Sequence, residues 1–231
     1  MDILRLQSLS FGYEGKTIIK DLNISFKLNR FEAILGESGI GKTTLTNLIL
    51  GRLKPTRGEI IRNFRKVGFV SQYDSLIENI SVLKNIEYVS GDKDSSLEAL
   101  KLVGLSNVAH LKARVLSKGM KKRVEIARAL SINPDLIIMD EPFGNLDYFT
   151  KLNLVARLKH FIKSINATFI YITHDIDEAL IISDNVTIFN TKPLQNNYMR
   201  IEGVELLDKK STKEDILKFI SKGQIKITSG G

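Results

Sequence analysis

Residues 31–43 read Phe-Glu-Ala-Ile-Leu-Gly-Glu-Ser-Gly-Ile-Gly-Lys-Thr. A short apolar run ends in Gly36, and Gly36, Gly41, Lys42 and Thr43 then fall at the spacing G-x-x-x-x-G-K-[ST]. Beyond it, Leu45, Leu48 and Ile49 share one helical face, and Gly51 and Pro55 mark the stop of a helix over residues 41–53. A strand, a glycine-rich turn and a helix in this order constrain the chain more than any other feature. The glycines let the backbone turn so that successive N–H groups surround an anion, and the helix start adds partial positive charge. Lys42 can bridge terminal phosphates, and the Thr43 hydroxyl can ligate Mg2+. The loop takes in Gly36, Glu37, Ser38, Gly39, Gly41, Lys42, Thr43 and Thr44.

The surrounding pattern is that of an α/β protein. ILRLQSLSF (residues 3–11) and LNISFKL (22–28) read as strands with a turn at Gly12 and Gly15 between them, and GEII (58–61) and VGFVSQ (67–72) as two more. Over residues 74–116 the texture changes. Apolar residues recur at helical spacing (Leu76, Ile80, Leu83; Leu97, Leu100, Val103), broken by the polar stretch 91–96, which predicts a mainly helical insertion. Residues 117–131 read as one helix, capped by Ser117, with Met120, Val124, Ala127 and Leu130 facing inward. In its basic run Lys118, Lys121, Lys122 and Arg123, the second and third lysines read as a solvated face. DLIIMD and ATFIYIT are fully apolar, as strands buried on both faces of a parallel sheet are, and helices over 148–164 and 176–182 alternate with them and with NVTIFN. Ser211 and Glu214 form a capping-box pattern ahead of a last helix that Gly223 closes.

Composition narrows the partners. The chain has 231 residues, room for one large domain with a small insertion, and a formal net charge of +8. That excess favours an anionic partner: a nucleotide, a nucleic acid or an acidic membrane face. With no cysteine, disulfides, thiolate metal sites and cysteine nucleophiles are excluded. Three histidines, His110, His160 and His174, make a histidine-rich metal site unexpected. The opening MDILRLQSLS carries an early Asp and no apolar core of signal-peptide length, and no apolar run approaches the roughly 20 residues that span a bilayer. A soluble protein, or one held at a membrane by docking, is expected.

A second element limits the chemistry. Leu136-Ile-Ile-Met ends in Asp140 and Glu141. An acid at the end of a buried strand beside a phosphate loop suits a Mg2+ contact, and the carboxylate after it could hold or deprotonate an attacking water. Two acids that merely cap a strand end are the plainer alternative.

Further pieces then match one family in order. Leu116-Ser117-Lys118-Gly119-Met120 resembles the LSGGQ signature of ATP-binding cassette (ABC) ATPases. Gln72 closes its strand as in that family's Q-loop, Gly144-Asn145-Leu146-Asp147 stands where its D-loop stands, and His174 in Thr-His-Asp occupies its switch-histidine position. Tyr13 lies where the family places an adenine-stacking aromatic. Each also has a structural alternative: Tyr13 a half-buried ring, Gln72 a polar strand end, His174 a satisfied structural histidine, Asp147 a helix N-cap. The resemblance runs from about residue 3 to residue 190, and THDIDEAL is similar to importer cassettes of the nitrate, sulfonate and taurine type. Lys118 and Met120 depart from the signature, and Gly144-Asn145 from the usual small pair.

The resemblance implies a P-loop NTPase fold: a parallel core sheet and an N-terminal antiparallel β subdomain over residues 1–73 and 117–231, with an inserted helical subdomain over 74–116. It implies ATP and Mg2+ as ligands, with Thr43, Gln72 and Asp140 around the metal. Lys42, Glu141 and His174 would be the catalytic set, and Ser117, Gly119 and Asp147 would meet the nucleotide of a paired cassette in a homodimer or related dimer. The expected setting is the cytoplasmic face of the cell membrane, on a separate permease fed by a solute-binding protein, without direct nucleic-acid binding. The alternatives are a DNA-associated ABC-type ATPase, which the charge permits but for which no base-reading module is evident, a non-hydrolysing nucleotide-binding regulator, and a phosphotransferase acting on a small substrate.

Overall fold

The computed structural model describes residues 1–14, 16–37, 39–144, 146–193, 199–208 and 211–222. Ser38, Gly15, Asn145 and Gly223, all singled out above, lie outside the described residues. The chain forms two compact units, Met1–Asn63 with Ile170–Gly231, and Phe64–Phe169.

The first unit is built on a mixed sheet. β1 (Asp2–Tyr13) and β2 (Lys16–Lys27) form an antiparallel hairpin, and β4 (Arg57–Arg62) pairs antiparallel with β1 on its other edge. β3 (Phe31–Leu35) runs parallel to β8 (Asn185–Pro193) in the register Ala33↔Val186 to Leu35↔Ile188. β9 (Met199–Asp208) is antiparallel to β8 and meets β2 through Ile19↔Ile201, so it joins the two halves of the sheet. All five residues of β3 are buried, as a strand covered on both faces requires. α6 (Ile176–Ile182) and α7 (Lys213–Lys222) cover it. Ala33, Leu35, Ile176, Ala179, Val186, Ile188 and Ile216 form the core between them, each large aliphatic side chain contributing about 1.5–3 kcal/mol by leaving water.

α1 (Lys42–Ile49) ends four residues earlier than the apolar spacing suggested. Gly51 adopts φ 74°; its N–H donates to Leu48 O (3.1 Å) and that of Arg52 to Asn47 O (2.9 Å). These two bonds close a Schellman motif, which terminates the helix whatever the side chains beyond it.

The second unit carries the parallel pair β5 (Val67–Val70) and β6 (Leu136–Asp140) and the helices α2 (Val82–Ser90), α3 (Lys93–Leu102), α4 (Lys118–Leu130) and α5 (Tyr148–Ser164). α2, α3 and α4 pack on one another, and α4 lies on β5. There a Cβ at Gly68 would stand 2.4 Å from Ala129 O, so only glycine allows the approach. β7 (Thr168–Thr173) passes from this unit into the first.

Several expectations are corrected. Leu76 and Ile80 lie before α2, in a segment without helix. The polar stretch is shorter than a break of six residues, because the Asp92 carboxylate accepts from Ser95 N at 2.7 Å and starts α3 at Lys93. The last helix is capped one residue later than the Ser211–Glu214 pattern. Thr212 Oγ1 accepts from Asp215 N (3.3 Å), and Asp215 Oδ2 accepts from Thr212 N (2.8 Å).

Candidate functional site

In the first unit, β3 delivers the chain to the glycine-rich loop. Gly36 N donates to Thr173 O at 3.3 Å, which ties the start of the loop to the end of β7, one residue before His174. A Cβ on Gly36 would lie 2.1 Å from Ile40 Cδ1, and Ile40 is 2% exposed, so this side chain fills the space beneath the loop. Gly39 and Gly41 take φ 84° and 106°, the left-handed region open to glycine. Gly41 is the N-cap of α1; it offers no side chain, and the first turn holds no acid. The positive end of the helix is therefore left to an external anion. Lys42 is 6% exposed, and its Nζ donates to Gly36 O at 2.5 Å and Glu37 O at 2.8 Å. The ammonium is thus folded back into the loop. Thr43 is exposed at the helix start, and Thr44 is half-buried beside it.

Tyr13 lies at the end of the β1–β2 hairpin, 47% exposed, its ring edge-on to Phe11 at 4.9 Å. A ring held from one side and open on the other can stack on a base. His174 is exposed after the buried strand β7. The turn carrying it is anchored beneath by a carboxylate that sequence reasoning missed. Glu178 accepts from the Tyr171 hydroxyl and from Thr173 Oγ1 (3.2 Å), and Thr173 Oγ1 accepts from Asp175 N (3.0 Å). Burial, with the Glu178 charge, holds the Tyr171 phenol far above its ordinary value, so it remains a donor.

In the second unit, Asp140 is 5% exposed at the end of β6. Glu141 follows at φ 47°, a left-handed backbone that is costly for a non-glycine residue and gathers at functional sites. Gln72 Nε2 donates to Glu141 Oε2 at 3.3 Å, so two of the residues singled out from sequence meet here. Phe143, 1% exposed, fixes the chain beyond. Asp147 caps α5 by accepting from Thr150 N at 3.0 Å, and a hydrogen bond from the Thr150 side chain, with that amide, holds its carboxyl below the usual range. Ser117 caps α4, accepting from Met120 N at 3.2 Å, with Gly119 in the first turn and Lys118 exposed. Met120 is half-buried rather than an inner residue.

The solvated reading of Lys122 is overturned. Lys122 is 1% exposed, and its Nζ donates to Glu125 Oε2 (2.7 Å), Ser71 O (2.9 Å) and Gln72 O (3.3 Å). Lys121 is also drawn in, pairing with Glu78 at 2.8 Å. A signal for the buried pair existed: opposite charges three apart on a row shared with the apolar Ile126 and Ala129.

No group of three or more histidine or acidic side chains is gathered to hold a metal among the described residues. Thr43 of the first unit offers a hydroxyl, and Gln72 and Asp140 of the second an amide and a carboxylate. Each is a hard oxygen donor of the kind Mg2+ accepts, an ion that keeps waters and takes phosphate oxygens rather than an all-protein cage.

Known proteins resemble this chain over most of its length. The family described as ABC transporter matches residues 19–144. The spermidine/putrescine import ATP-binding protein PotA of Legionella pneumophila is 34% identical over 206 residues, 81% of this chain, and the chain spans 57% of that relative's length. The aliphatic sulfonates import ATP-binding protein SsuB 2 of Pseudomonas syringae is 34% identical over 185 residues, covering 79% of this chain and 80% of the relative. Among solved structures, a dimeric post-hydrolysis ATP-binding cassette bound to ADP and Pi superposes with a TM-score of 0.75 at 27% identity, over 90% of this chain and all of that one. With the phosphate loop, the Gln72–Glu141 contact and the capped Ser117 helix in place, the chain belongs to the ABC transporter family.

Proposed function

We propose that this chain binds and hydrolyses ATP as the peripheral energy-coupling subunit of a solute importer, working on a separate membrane permease. The observation that carries the reading is the phosphate loop: left-handed glycines, an uncapped helix start and a lysine held between two loop carbonyls. Lys42 would exchange those carbonyls for the β- and γ-phosphates, and the amides of residues 39–44 would stabilise charge on them. Tyr13 would stack on the adenine. Bound Mg2+ would neutralise phosphate charge, with Thr43, Asp140 and Gln72 as its protein neighbours. Glu141, held by Gln72, would orient the attacking water or take its proton. His174 would hold the γ-phosphate and register its loss, while Ser117, Gly119 and Asp147 would serve the nucleotide of a paired cassette.

Domain organisation follows the same reading, with residues 74–116 as the helical part that meets the permease. Among the described residues no helix is long and apolar enough to cross a membrane; the proposed seat is the cytoplasmic face, on the permease. A solute-binding protein would deliver the cargo. Relatives of equal identity are named for polyamines and for sulfonates, so the permease and its binding protein, not the cassette, would set the solute.

Calorimetry with MgATP, paired with phosphate release, tests the proposal. Wild type should bind and turn over ATP, and Lys42→Ala should lose most binding heat and turnover. No heat from wild type, or equal behaviour of the variant, overturns it.

A further inference from the structure

The loop after β5 carries Gln72, yet residues 72–75 are exposed. Three side chains of α4 hold this loop. Lys122 Nζ bonds the carbonyls of Ser71 (2.9 Å) and Gln72 (3.3 Å). Glu125, 1% exposed and paired with Lys122, accepts from Ser75 N and from Ser75 Oγ (2.9 Å). Arg128 Nη1 donates to Ser75 O at 3.0 Å, and Nη2 to Ser75 Oγ. Main chain and side chain are thus gripped at both ends of the segment.

A buried ion pair is a poor way to add stability, since apolar residues of similar volume do as well or better. Its two charges are instead spent on backbone groups of the Gln72 loop. We infer that Lys122, Glu125 and Arg128 are positioning residues that fix the main chain at 71–75 and, through the Gln72 side chain, the Glu141 carboxylate. None of them meets the reacting atoms; they act through Gln72. This rests on the hydrolysis reading above for its consequence in turnover, while the clamp itself is a property of the loop.

The test uses Lys122→Met/Glu125→Leu, which removes both charges together and keeps side-chain volume, because either change alone leaves a buried charge unpaired. With Gln72→Ala it forms a cycle. The pair variant should bind MgATP within about twofold of wild type, while kcat falls about tenfold, the scale expected for a slightly misplaced catalytic group. Adding Gln72→Ala should lower kcat no further than Gln72→Ala alone, because both act along one route. A kcat within about twofold of wild type, or losses that multiply, overturns the proposal. Should the pair variant fail to fold, Arg128→Met reads the same clamp: kcat falls about threefold at unchanged MgATP affinity, and an unchanged kcat refutes it. Amide exchange over 71–75 supplies a readout without turnover; it should quicken about tenfold in the pair variant or in Arg128→Met, and unchanged exchange overturns the clamp. A wild type that releases no phosphate sinks the hydrolysis reading instead, and the exchange measurement then decides the clamp.

Discussion

Glu141 occupies left-handed backbone at φ 47° and shares its carboxylate with the Gln72 amide. Strain of this kind persists where the surroundings enforce it, and here it sets the direction of the residue proposed above to hold the water. Glu141→Gln keeps shape and loses the charge. It should lower kcat by a factor of about 100 or more and leave the MgATP dissociation constant within about threefold, read by phosphate release and calorimetry; turnover near wild type would remove Glu141 from its role. At Gly41 the argument is steric. A Cβ there would meet Ile18 Cγ2 at 3.0 Å and Ile201 Cδ1 at 3.4 Å, at φ 106°. Gly41→Ala should therefore cost about 1–3 kcal/mol of stability and weaken nucleotide binding, visible as a lower Tm and a reduced calorimetric signal. That Lys42 sits in a glycine-rich turn at a helix start, and that Gln72 and Glu141 follow strands, was legible from spacing and order before any contact is known. Lys122 was not. A charge beside other charges reads as surface, and only the packing of α4 against the loop at 71–75 reveals that its buried ammonium bonds the Glu125 carboxylate and two carbonyls.

Among the elements, helix starts make the strongest statement about pH. Asp92, Asp147 and Asp215 accept from amides at the starts of α3, α5 and α7, and Asp135 accepts from the amides of Arg65 and Lys66 beside β5. Side-chain hydrogen bonds from Ser95 and Thr150, with those amides, hold Asp92 and Asp147 below their ordinary value, and the amide bonds do so for Asp215 and Asp135. A depressed native pKa gives stability that is present above the unfolded value and lost as pH falls through the native one. Tm should stay flat above about pH 5 and drop as the medium passes below about pH 4. Asp147→Asn, which can still cap, should flatten part of that drop in a series of melts; an identical slope would deny Asp147 a share. The elements themselves were largely readable, since apolar period and turn residues report local conformation. Their ends were less so. α1 stops where Gly51 satisfies two carbonyls, and α7 starts where Thr212 and Asp215 bond each other rather than at the neighbouring Ser211. Both are decided by hydrogen bonds that several adjacent residues could have made.

For the whole molecule, the parallel part of the sheet followed from strand–helix alternation and fully apolar strands, and the antiparallel subdomain from the family resemblance, but the place of β9 followed from neither. It is placed by distant partners, β8 along its length and β2 through Ile19, and nothing in its own period names them. Assembly is likewise a property no single segment carries. Each copy bears a net charge of +8, so two copies repel until something anionic lies between them. In the proposed reading the triphosphate is such a group, and the uncapped start of α1 and the Ser117 helix start would be the two positive ends each copy offers it. If nucleotide closes the pair and hydrolysis opens it, a variant that binds without turning over should be trapped closed. Glu141→Gln in MgATP should sediment at twice the 26.0 kDa of the monomer, and should return to the monomer in MgADP, where the contact made by the γ-phosphate is missing. Wild type should show the dimer only transiently. A mass that stays at one chain under saturating MgATP, with binding heat intact, would leave the nucleotide site standing and overturn the paired-cassette mechanism.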